Sequence, residues 1–169
     1  MSEMQALDCV VFETPTAALP MSGVFERGVF RLPLRVFFED TDFTGVVYHA
    51  NYIKFAERGR TESLRFLNLV ENGGNGSIHQ VLKEQFGLFF AVKDCSLSFE
   101  SPARVDELLE VRTRLKPARG ATLDFEQKIM RGDELLTSVE LRVVLLREKD
   151  GGLARPPREL KSRLEALWQ

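Results

Sequence analysis

The run over residues 51–70, NYIKFAERGRTESLRFLNLV, constrains this chain more than any other stretch. At about 100° per residue, Tyr52, Ala56, Gly59, Ser63, Phe66, Leu67 and Val70 fall on one face of a helix. Lys54, Glu57, Arg58, Thr61, Glu62, Arg65 and Asn68 fall opposite. The middle of the apolar face is small. A glycine at position 59 costs the helix about 1 kcal/mol relative to alanine, so something must need to approach closely there. A curved sheet wrapped around the helix would meet that need.

The rest of the chain supplies the strands. Leu32, Leu34, Val36 and Phe38 alternate with Arg31, Pro33, Arg35 and Phe37, the period of a half-buried strand that ends in an acidic turn over 39–42. Gly73, Gly74 and Gly76 end the long helix, and Ser77 caps a short second one over 78–86. Further strands are predicted at 89–99, 109–115, 123–130 and 135–147. In the last of these, residues 143–146 are apolar on both faces, as in a central or interface strand. Pro156-Pro157 opens a terminal helix with Leu160, Leu164 and Leu167 on one side. Strand, long helix, short helix and a meander of strands make an α+β domain: an antiparallel β-sheet packed on one long α-helix. We expect a flexible N-terminal arm at 1–24, with residues 10–12 pinned to the body, one domain at 25–150, and a C-terminal helix or tail at 151–169.

Charge and cysteine content narrow the function. A net charge of −2 provides no basic field for a nucleic-acid partner. The two cysteines, Cys9 and Cys95, form neither a disulfide framework nor a metal-ligand spacing, which fits a reducing compartment and predicts the cytoplasm. No basic leader precedes Arg27, and no run of roughly 18 apolar residues predicts a membrane span.

Chemistry-bearing residues crowd into one place. Glu39, Asp40 and Asp42 are followed by Gly45, Tyr48 and His49 at the start of the long helix. Such a turn is either solvated or an acid–base site. The apolar Gly45-Val46-Val47 that follows argues for partial burial, where a functional pKa is set. Carboxylates beside the free N–H groups of a helix N-terminus suit attack on a carbonyl, because donors already stand where negative charge develops. His49 and His79 lack metal-ligand spacing, and Asp40 with Asp42 gives too few ligands, so no metal is expected. There is no G-x-S-x-G elbow and no phosphate-binding glycine loop.

The string EDTDFTGVVYHANYIKFAERGRTESL resembles the signature of the hotdog-fold acyl-CoA thioesterases of the 4-hydroxybenzoyl-CoA thioesterase superfamily, in their YbgC-like, Tol-Pal-associated branch. The likeness runs over about 29–148. It implies a hotdog fold, hydrolysis of an acyl-CoA or an acyl carrier protein thioester, and no cofactor. It makes Asp42 the catalytic carboxylate, as nucleophile or general base, with His49 assisting. Gly45, Val47 and Tyr48 would position substrate and supply oxyanion amides, and Arg119 would contact CoA phosphates. A homodimer or homotetramer with shared sites and association with the Tol-Pal system are implied too. Two departures stand out: Phe38 replaces a tyrosine frequent in the branch, and Phe43-Thr44 replaces a small pair, which is expected to narrow the acyl pocket or change its lining. The rival readings are a hotdog acyl-CoA hydratase or dehydratase and a non-catalytic acyl-CoA-binding or scaffold module.

Overall fold

Helix α1 (His49–Asn72) crosses one face of a six-stranded antiparallel sheet and packs mainly on its middle strands. In the computed structural model the described residues are 23–72, 78–117 and 120–168. Residues 1–22 of the expected 1–24 arm, including 10–12, the 73–77 loop with its Ser77 cap, and Arg119 lie outside them, and Val24 belongs to the first strand.

The strands are β1 (Val24–Glu26), β2 (Val29–Arg35), β3 (Leu88–Phe99), β4 (Leu108–Leu115), β5 (Thr122–Arg131) and β6 (Glu134–Arg147). Their spatial order is β1-β2-β4-β5-β6-β3. Two more helices, α2 (Ile78–Phe86) and α3 (Arg158–Leu167), complete the fold. The short β1 extends the sheet by a two-residue turn in which Arg27 and Gly28 both have positive φ, pairing Glu26 with Val29. This is the sheet wrapped on a central helix that the sequence predicts.

The small middle of α1 sits where the sheet comes closest. A Cβ added at Gly59 would lie 2.6 Å from Val111 Cγ1 and 3.0 Å from Thr113 Oγ1. One strand over, the buried Gln127 donates its Nε2 to Ala56 O at 2.7 Å and to Thr113 Oγ1 at 2.9 Å. Helix and sheet are thus joined by a polar clasp beside the glycine. Tyr52, Ala56 and Ser63 are buried as the wheel requires, and so are Asn51, Phe55 and Leu64. The curved sheet covers a wider arc of α1 than a flat one would. For Phe66, Leu67 and Val70 the side chains lie outside the described set.

One sequence expectation changes. Phe38 does not continue the first strand: β2 stops at Arg35, and Phe38 begins a 3-10 turn (Phe38–Asp40) with 80% of its surface exposed. The Asp40 carboxylate accepts the Phe37 amide at 3.0 Å and closes that turn, which breaks the two-residue period. At the other end, Leu160, Leu164 and Trp168 join the same hydrophobic core as the sheet, with Trp168 edge-on to Phe25 at 4.9 Å.

The apolar run in β6 is explained by position. That strand lies between β5 and β3, and Val143, Val144 and Leu145 are all buried. The sheet edge beyond it is β3, twelve residues long, with Phe89, Val92 and Phe99 exposed.

Candidate active site in the loop before the central helix

Residues 41–48 fold back on themselves before entering α1. Thr41 bridges Val47, the Asp42 amide donates to Val46 O at 2.9 Å, and the Gly45 amide donates to Asp42 O at 3.0 Å. Gly45 has φ 75°, and no atom of the chain comes within 4 Å of where its Cβ would be. Glycine is needed there for the left-handed turn, and the space beside it is open.

The two aspartates of this segment do different things. Asp40 is 4% exposed and acts as scaffold. Its carboxylate takes the Phe37 amide, and its carbonyl takes the Tyr48 amide at 2.9 Å and Asn51 Nδ2 at 2.8 Å. Asp42 stands outward on the turn. Its Oδ1 accepts the Thr44 hydroxyl at 2.6 Å and the Thr44 amide at 2.8 Å. Those bonds, the hydroxyl's first, hold the carboxyl below the ordinary carboxylate range against a small opposing effect of burial. The Val46 amide lowers it further, with a weaker effect than either Thr44 bond.

The loop is clamped from sixty residues away. Val47 donates to Ala103 O at 2.9 Å, Val46 bridges Arg104, Val105 donates to Gly45 O at 3.2 Å, and Ala103 donates to the buried Tyr52 hydroxyl at 2.8 Å. Val46, Val47, His49, Tyr52, Phe99 and Pro102 line an open cleft of about 260 Å³ beside it.

The predicted site residues therefore share one loop but not one surface. Val47 and His49 face the cleft, Gly45 and Asp42 form the turn above it, and the exposed Tyr48 lays its ring on that of His49, centroids 4.3 Å apart. The amides of Gly45, Val47 and Tyr48 are all engaged within the fold. The His49 and Ala50 amides, in the first turn of α1, have no acceptor among the described residues. Phe43 is fully exposed and is not among the residues that line the cleft beside His49. Thr44 is the hydrogen-bond partner of Asp42 that sequence reasoning missed. The D-x-T spacing, in which Asp and Thr two residues apart close a turn, was the signal for it.

Among the described residues no group of three or more His, Cys, Asp or Glu could hold a metal, and no helix is long and apolar enough to cross a membrane.

Comparison with known proteins places this arrangement. Residues 36–164 match the thioesterase-like superfamily. The acyl-CoA thioesterase YbgC of Haemophilus influenzae is 39% identical over 141 residues, which covers 82% of this chain and 96% of that protein. The acyl-CoA thioester hydrolase YbgC of Escherichia coli O6:H1 is 38% identical over 117 residues, covering 69% and 81%. Among solved structures, a probable thioesterase from Bartonella henselae superposes with a TM-score of 0.67 at 35% identity, over 76% of this chain and 99% of that one. A 1,4-dihydroxy-2-naphthoyl-CoA thioesterase from Synechocystis shares the fold with a TM-score of 0.72 at 18% identity, over 82% and 97%. With its sheet-on-helix fold, its acidic loop and these matches along most of its length, the chain belongs to the YbgC-type branch of the thioesterase-like superfamily.

Proposed function

We propose that this protein hydrolyses acyl-CoA thioesters to a carboxylic acid and free CoA, with Asp42 as the catalytic carboxylate. The observation that carries the reading is the Asp42–Thr44 pair: an ionised carboxylate oriented through Oδ1, on the loop that delivers α1 to the cleft. Asp42 either attacks the thioester carbonyl itself or takes a proton from the attacking water. The developing oxyanion is met by the His49 and Ala50 amides at the positive end of the helix dipole. Val47 and Tyr48 serve by holding that turn in place, and the His49 ring at the cleft wall assists. Arg119 contacts the CoA phosphates. CoA leaves as product, and no cofactor takes part.

The active form we propose is a homodimer, or a pair of such dimers. A twelve-residue edge strand with exposed Phe89, Val92 and Phe99 is a surface that proteins cover. Pairing β3 with β3 of a second copy would bring the outward-standing Asp42 of one chain toward the cleft of the other. Light scattering is expected to give an even-numbered assembly, and a fully active monomer would overturn the shared site. The reaction suits the cytoplasm, and acyl carrier protein thioesters and a Tol-Pal contact are further candidates for substrate and partner.

The test is thiol release across a panel of acyl-CoA esters. Saturated esters should be cleaved. Turnover confined to hydration of 2,3-unsaturated esters would instead support the hydratase reading, and binding without turnover would support an acyl-CoA-binding module.

A further inference from the structure

One charged group is left unused by this chemistry. Arg60 lies half-buried on α1 and lines a small pocket of about 80 Å³ where α1, α2 and β3 meet. Leu64, Phe90, Val92, Leu123, Phe125 and Val143 give it apolar walls, and Glu57, Thr61 and His79 stand with Arg60 on its polar side. Among the described residues the Arg60 guanidinium has neither an ion pair nor a side-chain hydrogen bond. Glu57, on the same pocket, acts on it electrostatically, but Glu57 is exposed and its Oε1 accepts the Thr61 hydroxyl at 2.7 Å. His79, on the same pocket, is pushed toward its neutral form by burial and by Arg60.

This pocket and the cleft beside His49 lie along the same helix and the same strand. On α1 the residues His49, Ile53, Glu57, Arg60 and Leu64 are spaced by three or four and share one face. On β3 the residues Phe99, Leu97, Cys95, Val92 and Phe90 pair with Thr137, Val139, Leu141, Val143 and Leu145 of β6, so they share the inner face. Phe99 lines the cleft and Val92 with Phe90 lines the pocket. Cys95, between them, lies within the electrostatic reach of Arg60. The cleft and the pocket are therefore aligned along one face of the helix. From His49 to Arg60 it covers ~16 Å of helix rise, less the reach of the arginine back toward the N-terminus.

Resting on the thioesterase reading above, we propose that the pocket receives the far end of the acyl group and that Arg60 recognises a carboxylate there, making ω-carboxyacyl thioesters of medium length the preferred substrates. A desolvated guanidinium is costly to leave unpaired, Arg60 has no partner among the described residues, and a purely aliphatic tail would supply none. A carboxylate offers its planar fork two parallel hydrogen bonds. The apolar walls suit the methylenes between that carboxylate and the thioester.

The test compares decanoyl-CoA with decanedioyl-mono-CoA by thiol release, on the wild type, Arg60→Gln and Arg60→Lys. The wild type should favour the ω-carboxy ester by ~10-fold or more in kcat/KM, expressed mainly in KM. Arg60→Gln should abolish that preference, and Arg60→Lys should keep part of it. Equal turnover of the two esters by the wild type overturns the proposal without any variant. So does an equal loss on both esters in Arg60→Gln, which marks Arg60 as structural or as a contact to a second copy. Titration calorimetry with free decanedioate and decanoate separates this proposal from the thioesterase reading. If the wild type cleaves neither ester but binds decanedioate through Arg60, the pocket stands and the reaction falls. If decanedioate does not bind either, the pocket falls too.

Discussion

The middle of α1 and the loop that leads into it solve opposite problems. Around Gly59 the helix is held against the sheet from every side, by Val111 and Thr113 beneath it and by Gln127 reaching to Ala56 O. In the loop, the backbone is fixed just as firmly, by Asp40, Ala103 and the Tyr52 hydroxyl, but the fixed parts leave groups pointing out. The Asp42 carboxylate and the first amides of α1 are held in place without being used up. The rigid interior places the helix end, and the helix end with its loop presents the chemistry. Side chains that satisfy the fold, such as Asp40 and Gln127, and side chains that remain available, such as Asp42, stand within a few residues or one strand of each other.

The sharpest way to break this contrast is to exchange the roles of the two aspartates. Asp42→Asn should lower kcat at least ~100-fold, the lower bound for losing a general acid–base group. Its melting temperature should change little, because the swap is isosteric and Thr44 keeps an oxygen to donate to. Asp40→Asn retains an acceptor for the Phe37 amide and should cost far less activity. Steady-state kinetics on both folded variants decides the matter, and wild-type-like turnover by Asp42→Asn would remove it from the mechanism.

On the interior side, Gly59→Leu improves helix propensity but drives a side chain into Val111 and Thr113. It should destabilise the fold by roughly 1–3 kcal/mol. Chemical denaturation measures this directly. An unchanged midpoint would mean that helix and sheet are not held as closely as the 2.6 Å approach requires.

How much of this was legible in the sequence follows the same division. The two-residue period of the strands and the small face of α1 depend on local pattern, and both appear in the structure. Phe38 looked like a strand residue because nothing local announces that Asp40 will turn back to bind the Phe37 amide. Phe55 and Leu64 fell off the predicted face because sheet curvature, a property of six strands together, decides how much of a helix is covered. In the site, the acidic turn was visible, and Thr44 could have been read from its spacing. Which amides remain free could not be read locally, since Val47 is taken by Ala103 and Tyr48 by Asp40, and the first of those partners lies far along the chain.

Thr44 gives the smallest effect and the finest test of the loop. Its hydroxyl makes the leading contribution to lowering the Asp42 pKa, and its amide makes the next. Thr44→Val removes the hydroxyl and keeps the amide, so the Asp42 pKa should rise toward the ordinary carboxylate value without reaching it. Activity needs the ionised form, so the acid limb of the kcat/KM profile should shift to higher pH. Near neutrality both proteins have Asp42 ionised, and their rates should be close. Stability follows the same sign. A carboxylate lowered in the folded state favours folding above its unfolded pKa and loses that contribution as pH falls through the folded pKa. Acid unfolding of Thr44→Val should therefore begin slightly earlier. A pH–rate profile that superposes on the wild type would show that the Asp42–Thr44 contact does not govern the catalytic ionisation.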